Sequence, residues 1–192
     1  MKLKDAIYNR RSIRSFTLQP VEKEKIEILL DFAIQAPSAM NAQPWAFAVI
    51  QDRNLLRDYS TRVKEYILNN LDKYPFLTKY KAAFENPVYN IFYNANCLII
   101  IYAKPEHTYS DEDCCLAAQN IMLAAPSLGL GSCSIGFARP FLDFPEFRKE
   151  FSIPEDYVAI TPIAIGYPKR EVPDPGRKEP DVLFWQTPEG IL

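Results

Sequence analysis

The sequence predicts a single domain, residues 1–192, that combines α-helices with β-strands buried in a hydrophobic core. Three apolar runs have the length of strands, and longer segments with helical spacing separate them. Hydrophobic residues make up 48% and charged residues 24% of the chain, which is typical of a globular protein. A chain of this length can bury a sizeable core as one domain.

The predicted elements alternate along the chain. Helices are predicted over residues 2–10, 21–35, 53–71, 111–128 and 144–151. Strands are predicted over residues 46–51, 97–102 and 157–165. The second strand is apolar throughout, which indicates burial on both of its faces. Pro126 lies near the end of a helical pattern and therefore predicts an early stop or a kink there.

The charge balance and the apolar pattern argue against several classes of function. The chain carries 22 basic and 24 acidic residues, a net charge of −2, so no strong field favours nucleic acid or an anionic membrane. No apolar run approaches the roughly 18–20 residues of a membrane span, and the N-terminus lacks the apolar core of a signal peptide. We therefore expect a soluble, cytoplasmic protein whose anion sites are local.

The cysteine and histidine contents argue against a metal site and against histidine-based catalysis. Cys97, Cys114, Cys115 and Cys133 lie among apolar or small residues, and their spacing matches no zinc or redox motif. We expect them to be buried free thiols in a reducing compartment. His107 is the single histidine and lies in a polar turn. We therefore predict no metal ion and no histidine-based catalysis.

The segment after the first predicted helix can bind a phosphate. If the backbone is extended there, Arg10, Ser12 and Arg14 project to the same side, because side chains alternate along a strand. Two guanidinium groups and a hydroxyl can hold a phosphate through charge-assisted hydrogen bonds. The alternative is a solvated basic helix end, where positive charge is favourable in any case.

Residues 37–45 form a rigid polar loop between a helix and a strand. Two prolines remove backbone donors and favour extended geometry in the preceding residues, so the stretch is not helical. Ser38, Asn41 and Gln43 can pair with a ligand edge that has both donors and acceptors, such as the pyrimidine edge of a flavin. The alternative is a loop whose polar side chains only satisfy their own turn.

Three further stretches suit a ligand pocket or a partner. Residues 72–95 are rich in aromatic side chains, which we expect to be mostly core and which could also cover a planar ligand. Small residues within 129–137 would let backbone amides approach a ligand, although their spacing is not the dinucleotide-binding fingerprint. The proline-rich tail, about residues 167–192, carries the apolar cluster 182–185, so we expect an extended arm that covers its own chain or a second subunit.

Four motifs in this order resemble those of the FMN-dependent nitroreductase family, over essentially the whole chain. They are residues 10–14 after the first helix, residues 36–45 around the polar loop, residues 113–133 and residues 165–168 before a basic tail. Each motif is modest alone, and their order and spacing carry the resemblance.

The resemblance implies an α+β fold with a central mixed, mostly antiparallel sheet surrounded by helices. It also implies an intertwined homodimer with two FMN sites at the subunit interface. The phosphate and ribityl chain of FMN would be bound by Arg10, Arg11, Ser12, Arg14, Arg177 and Lys178. The isoalloxazine ring would be lined from the partner subunit by Pro37, Ser38, Ala39 and Asn41 of the same sequence, with Gln43 and Trp45 as supports of the loop. Ile135 and Gly136 would lie beside its reactive edge, with a backbone N–H available to flavin N5.

The resemblance also implies a ping-pong reaction. NAD(P)H would reduce FMN and leave, and a small electron-poor acceptor such as a nitroaromatic or a quinone would then take hydride from flavin N5. The chemistry would take place on FMN, so no catalytic side chain would be required, and the protein would bind, orient and tune the cofactor. Ala39, Ser134 and Pro126 depart from the family pattern, which affects substrate choice and redox tuning more than FMN binding. The alternatives are a flavin-destroying or dehalogenating enzyme of the same fold and a non-enzymatic flavin-binding or storage protein.

Overall fold

A four-stranded antiparallel sheet forms the centre of the protein. The structure, a computed structural model, describes residues 1–106, 108–188 and 190–191. The strands are β1 (Trp45–Ile50), β2 (Cys97–Ala103), β3 (Gly131–Ser134) and β4 (Val158–Gly166), in the spatial order β1-β2-β4-β3. Every adjacent pair is antiparallel, and one isolated parallel bridge joins Ser12 to Ser132 beside β3. The predicted α+β architecture with a mostly antiparallel sheet is confirmed.

Helices accompany this sheet on both faces. They are α1 (Leu3–Asn9), α2 (Lys23–Ala33), α3 (Arg53–Asn69), α4 (Lys81–Glu85), α5 (Ser110–Ala124), α6 (Arg139–Leu142) and α7 (Pro145–Glu150). All five predicted helices are present with ends shifted by a few residues. None of the helices in the described ranges is both long enough and apolar enough to span a membrane.

Side-chain alternation along β2 divides the core into two layers. Leu98 and Ile100 face an aromatic layer that includes Tyr59 of α3, whereas Ile99 and Ile101 face a layer formed with α2 and α5. Every residue of β2 is buried, which confirms the predicted burial of both faces. The central sheet is therefore fixed by packing on each side.

The segment around Pro126 joins α5 to the edge strand of the sheet. The α-helix ends at Ala124, and a 3-10 turn covers Ala125–Leu128, as the proline predicted. Gly129 follows with a φ of 73°, a conformation that glycine adopts without a steric penalty. β3, α4 and α6 were not predicted, because their sequences are short and lack clear periodicity. The hydrogen bonds of β3 to β4, rather than a local propensity, give β3 its strand geometry.

The tail is extended, as predicted, and it does not bury its apolar cluster against its own chain. Leu183 is 90% exposed, Phe184 67% and Trp185 62%. Two short strands, β5 (Gln186–Thr187) and β6 (Gly190–Ile191), form a small hairpin beyond this cluster.

The cysteines follow the prediction with one exception. Cys97, Cys114 and Cys133 are buried free thiols. Cys115 is free but exposed, so the prediction of burial was wrong for this residue. Neighbouring residues of a helix point about 100° apart, and α5 packs the Cys114 side against the sheet. The single histidine, His107, lies outside the described residues.

Candidate functional site

The basic segment, residues 10–14, runs along the outer edge of β3. The N–H of Ile13 donates to the carbonyl of Ser132 at 2.9 Å, next to the bridge between Ser12 and Ser132. A Cβ atom on Gly131 would lie 2.5 Å from Cγ1 of Ile13, so only glycine permits this approach. The segment is therefore extended, as the phosphate-binding hypothesis requires.

Arg10 and Arg14 act on the same neighbouring group. Burial raises the pKa of the Cys133 thiol, and the positive charges of Arg14 and Arg10 oppose that rise. The guanidinium of Arg14 also lies 6.0 Å from the centroid of the Tyr93 ring. Two cations separated by three residues thus lie near one side chain, in agreement with alternation along an extended backbone.

A third cation, which the sequence analysis did not single out, joins this group. Arg170 lines a groove of about 230 Å³ together with Ser12 and Arg14. The first residues of the tail pair with residues 15–17, which follow the basic segment. The N–H of Thr17 donates to the carbonyl of Tyr167 at 2.8 Å, and the N–H of Lys169 donates to the carbonyl of Ser15 at 3.0 Å. The bonds form between distant parts of the sequence, so no local pattern could have indicated Arg170. A larger polar groove of about 680 Å³ continues from Arg14 past Tyr93 and Lys169.

The other predicted phosphate ligands lie elsewhere in the single chain. Arg11 donates to the carbonyl of Tyr8 at 2.6 Å and pairs with Asp174 at 3.1 Å, so it fastens the tail to α1. Arg177 is exposed and donates to the carbonyl of Gly176 at 2.7 Å, and Lys178 is exposed as well. Among the described residues, no hydrogen bond or ion pair joins Arg177 or Lys178 to the basic segment. One chain therefore brings together Arg10, Ser12 and Arg14 but not the two tail residues.

The polar loop, residues 37–45, has an unusual backbone that its own side chains support. Met40, Asn41 and Gln43 have φ values of 52°, 55° and 46°, a left-handed region that is uncommon for non-glycine residues. The hydroxyl of Ser38 accepts from the N–H of Gln43 at 3.0 Å. The side-chain amide of Gln43 donates to Oδ1 of Asn41 at 3.2 Å. The self-satisfied turn is therefore present, and Gln43 supports the loop as expected.

A buried carboxylate anchors the polar loop to α5. The N–H of Ala39 donates to Oδ1 and Oδ2 of Asp113 at 3.1 and 3.2 Å, and Asp113 is only 4% exposed. Pro37 and Asn41 are exposed on the loop surface, while Ser38 and Ala39 are half-buried. The sequence does not reveal this anchor, because nothing local identifies the distant partner of Asp113. The anchor ties the loop to α5, and the side chains of Asn41 and Gln43 remain exposed.

The Ile135–Gly136 pair offers one backbone donor rather than two. The N–H of Ile135 donates to the carbonyl of Pro162 at 2.8 Å, which continues the pairing of β3 with β4. Within the described residues, the N–H of Gly136 has no backbone acceptor, and a Cβ built on Gly136 meets no atom within 4 Å. Gly136 is therefore the member of the pair whose N–H can reach a ligand.

A cavity of about 230 Å³ opens beside Gly136, and we call it the aromatic pocket. Its other lining residues are Val63, Tyr66, Ile67, Tyr74, Phe76, Leu77, Phe137, Pro140 and Phe141. The aromatic-rich stretch 72–95 thus supplies part of a pocket wall, as one of the two predictions for it proposed. Its Phe84 and Phe92 are buried core residues, as the other prediction proposed.

The described residues contain no group of three or more His, Cys, Asp or Glu side chains that could hold a metal ion. The residues described above supply cations, hydroxyls, amides and a backbone N–H around an open groove. Such groups bind and orient a ligand.

Comparison with known proteins gives a consistent result. A sequence model described as the Nitroreductase family matches residues 7–167. A protein of Archaeoglobus fulgidus, provisionally named NADH dehydrogenase/NAD(P)H nitroreductase, is 34% identical over 170 residues, or 86% of this chain and 84% of the relative. An iodotyrosine deiodinase of Thermotoga neapolitana is 28% identical over 187 residues, or 95% of this chain and 97% of the relative. The solved structure of an FMN-dependent nitroreductase from Clostridium difficile R20291 matches with a TM-score of 0.79 and 26% identity, over 95% of this chain and 99% of that one.

Proposed function

Because the chain belongs to the Nitroreductase family, we propose that it is an FMN-dependent oxidoreductase that passes hydride from NAD(P)H to an electron-poor acceptor. The observation that carries this proposal is the extended basic segment, where Arg10 and Arg14 lie near one thiol and Ser12 shares a groove with Arg14. The names of the relatives support the activity, since one is provisionally an NAD(P)H nitroreductase and another an FMN-dependent nitroreductase.

The residues present suit the phosphate of FMN. Arg10 and Arg14 supply charge-assisted donors, Ser12 supplies a hydroxyl, and Arg170 adds a cation at the groove. The polar groove that continues from Arg14 has a volume of about 680 Å³, within the range of ordinary cofactor and ligand sites. When bound, FMN supplies the hydride-transfer chemistry. Gly136 would offer its N–H to flavin N5, and the hydrogen bond from Ile135 to Pro162 would hold Gly136 in position.

The polar loop would line the isoalloxazine ring from the partner subunit. The Ser38 hydroxyl accepts a bond from the loop backbone, so its own proton remains available to a flavin oxygen or nitrogen. Asn41 is exposed and, besides the oxygen used by Gln43, it has an amide group that can donate. Pro37 and Ala39 would contribute apolar contact to the ring.

The exposed apolar surface favours a homodimer. Leu3 and Ile7 on α1, Phe32 on α2 and the tail cluster 182–185 are all exposed in the single chain. We take these exposed apolar side chains to be part of an interaction surface. In such a dimer, the tail of one subunit would pack on the other subunit. Arg177 and Lys178 of that tail would then reach the phosphate site of the other subunit.

The free thiols suit a reducing compartment. All four cysteines are unpaired, although Cys114 and Cys115 are adjacent in sequence. Cytoplasmic proteins keep their thiols reduced, whereas secreted ones tend to pair them. We therefore place the protein in the cytoplasm.

Dehalogenation is the second candidate, because an iodotyrosine deiodinase is among the relatives. Its named substrate is an amino acid with an ammonium and a carboxylate group. The lining of the aromatic pocket, as far as the structure describes the chain, contains no charged side chain that could pair with either group. Reduction of an uncharged acceptor is therefore the function we favour.

The test separates the two half-reactions under anaerobic conditions. The FMN-loaded protein is mixed with NADH or NADPH, and the flavin absorbance is followed until it bleaches. Addition of a quinone should then restore the oxidised spectrum. A flavin that NAD(P)H does not bleach would indicate a storage protein, and a flavin that only iodotyrosine reoxidises, with release of iodide, would indicate a deiodinase.

A further inference from the structure

Among the side chains that line the aromatic pocket in the described part of the chain, only those of Tyr66 and Tyr74 carry a polar group, which is the hydroxyl. The two oxygen atoms lie 3.3 Å apart, and both residues are half-buried. Tyr66 comes from α3 and Tyr74 from the irregular segment that follows it. The Tyr66 ring is held edge-on against Phe144, with centroids 4.4 Å apart. The hydroxyl pair is therefore fixed in place at the wall of the pocket.

The pair always has one hydroxyl proton that its internal hydrogen bond does not use. Each tyrosine hydroxyl has one proton, and the bond between the two hydroxyls uses only one of them. The hydroxyl that accepts this bond can donate its own proton to a third oxygen. The bond to Tyr74 raises the pKa of Tyr66, which favours the protonated hydroxyl of Tyr66.

The remaining walls set the class of ligand. They are formed by aliphatic side chains and by the rings of Phe76, Phe137 and Phe141, and the described chain places no charged group among them. An ion in such surroundings would lose its hydration without a partner, at a large cost in free energy. An apolar cavity of about 150 Å³ holds benzene. The volume of about 230 Å³ therefore accommodates one ring with a small substituent.

We propose that the aromatic pocket binds the hydride acceptor and that the hydroxyl pair of Tyr66 and Tyr74 donates a hydrogen bond to an acceptor oxygen. The acceptor is an uncharged ring with a carbonyl or nitro oxygen. This inference rests on the proposed function through Gly136, which lines the pocket and is the residue placed beside flavin N5. The pair and Gly136 would hold the ring at its two ends, one through the oxygen and the other next to the flavin.

The test compares two redox-inert ligands of similar size, acetophenone, which has a carbonyl oxygen, and ethylbenzene, which has none. Binding is measured by isothermal titration calorimetry on the flavin-free and the FMN-loaded protein. The variants are Tyr66→Phe, Tyr74→Phe and the double variant, which keep both rings and remove the hydroxyls. Tyr80→Phe is the control, because Tyr80 belongs to the same segment but does not line the pocket.

In the double variant the dissociation constant of acetophenone should rise about three- to tenfold, the value of one net hydrogen bond, while that of ethylbenzene stays unchanged. Tyr80→Phe should bind both ligands like the wild type. Unchanged affinity of the double variant for acetophenone would overturn the proposal. An equal loss for ethylbenzene would also overturn it, because the hydroxyls would then shape the cavity rather than bind an oxygen.

These outcomes are distinct from a failure of the proposed function. If the wild type reduces a quinone but the double variant binds acetophenone normally, the role of the hydroxyl pair is wrong and the oxidoreductase remains. If acetophenone binding depends on the pair but no quinone reoxidises the flavin, the proposed function fails. The pair would then still bind the carbonyl oxygen of an aromatic ligand.

Discussion

Replacing Asp113 with alanine should release the polar loop and weaken both the fold and FMN binding. The carboxylate is buried and accepts the N–H of Ala39 at 3.1 and 3.2 Å. A hydrogen bond to a charged group contributes about 1.5–3 kcal/mol, so we expect the free energy of unfolding to fall by about 2 kcal/mol. For a chain of this length, that corresponds to a decrease in melting temperature of about 4–8 °C. The loop residues at positive φ lose the contact that holds them, so the FMN dissociation constant should rise as well.

Urea unfolding followed by circular dichroism measures the change in stability. Protein concentration must be held fixed, because association with a partner subunit adds to the apparent stability. Asp111→Ala is the matched control, since Asp111 lies on the same turn of α5 and forms an exposed ion pair with Arg139 at 3.2 Å. An exposed pair contributes about 0–1 kcal/mol. The argument is refuted if Asp113→Ala is no more destabilising than Asp111→Ala.

Three further predictions concern the flavin site and the tail. Arg14→Ala should lower the affinity for FMN about ten- to a hundredfold in a fluorescence titration, because it removes a charge-assisted hydrogen bond. An affinity equal to that of the wild type would show that the phosphate binds elsewhere. Asn41→Gly should shift the midpoint potential of bound FMN. Glycine is the suitable replacement because it tolerates the positive φ at this position. An unchanged potential would show that Asn41 only stabilises the turn. Truncation after Pro173 should dissociate the dimer and lower FMN affinity, as light scattering and titration would show. Truncation after Asp181, which keeps the tail cations, should weaken the dimer with a smaller loss of FMN affinity, and equal losses would contradict a separate role for those cations.

The parts of the fold that the sequence predicts have a local physical signal. The apolar run of β2 requires burial on two faces, and it lies in the middle of the sheet between two packed layers. Pro126 cannot continue a helix, and α5 ends at Ala124. The extended basic segment follows from the end of α1 and from its alternating side chains.

The parts that the sequence does not predict depend on contacts between distant residues. Arg170 reaches the groove of Ser12 and Arg14 only because the tail pairs with residues 15–17. The bond from Ala39 to Asp113 joins positions 74 residues apart. The left-handed backbone of the polar loop has no glycine to indicate it.

The side-chain geometry of the pocket is likewise a product of tertiary packing. Tyr66 and Tyr74 are eight residues apart in sequence, and only the turn after α3 brings their hydroxyls within 3.3 Å. The pattern of aromatic residues indicated a pocket as one of two interpretations. It did not indicate which rings would be core and which would face a ligand.

The comparison of FMN with riboflavin tests the central claim most directly, because the two differ only in the phosphate that the basic segment is proposed to bind. Flavin-free protein is titrated with each compound, and the quenching of flavin fluorescence is recorded. We expect saturable binding of FMN and an affinity for riboflavin lower by at least about a hundredfold, since two charge-assisted contacts are lost. Equal affinity for the two flavins, or no binding of FMN, would contradict the account.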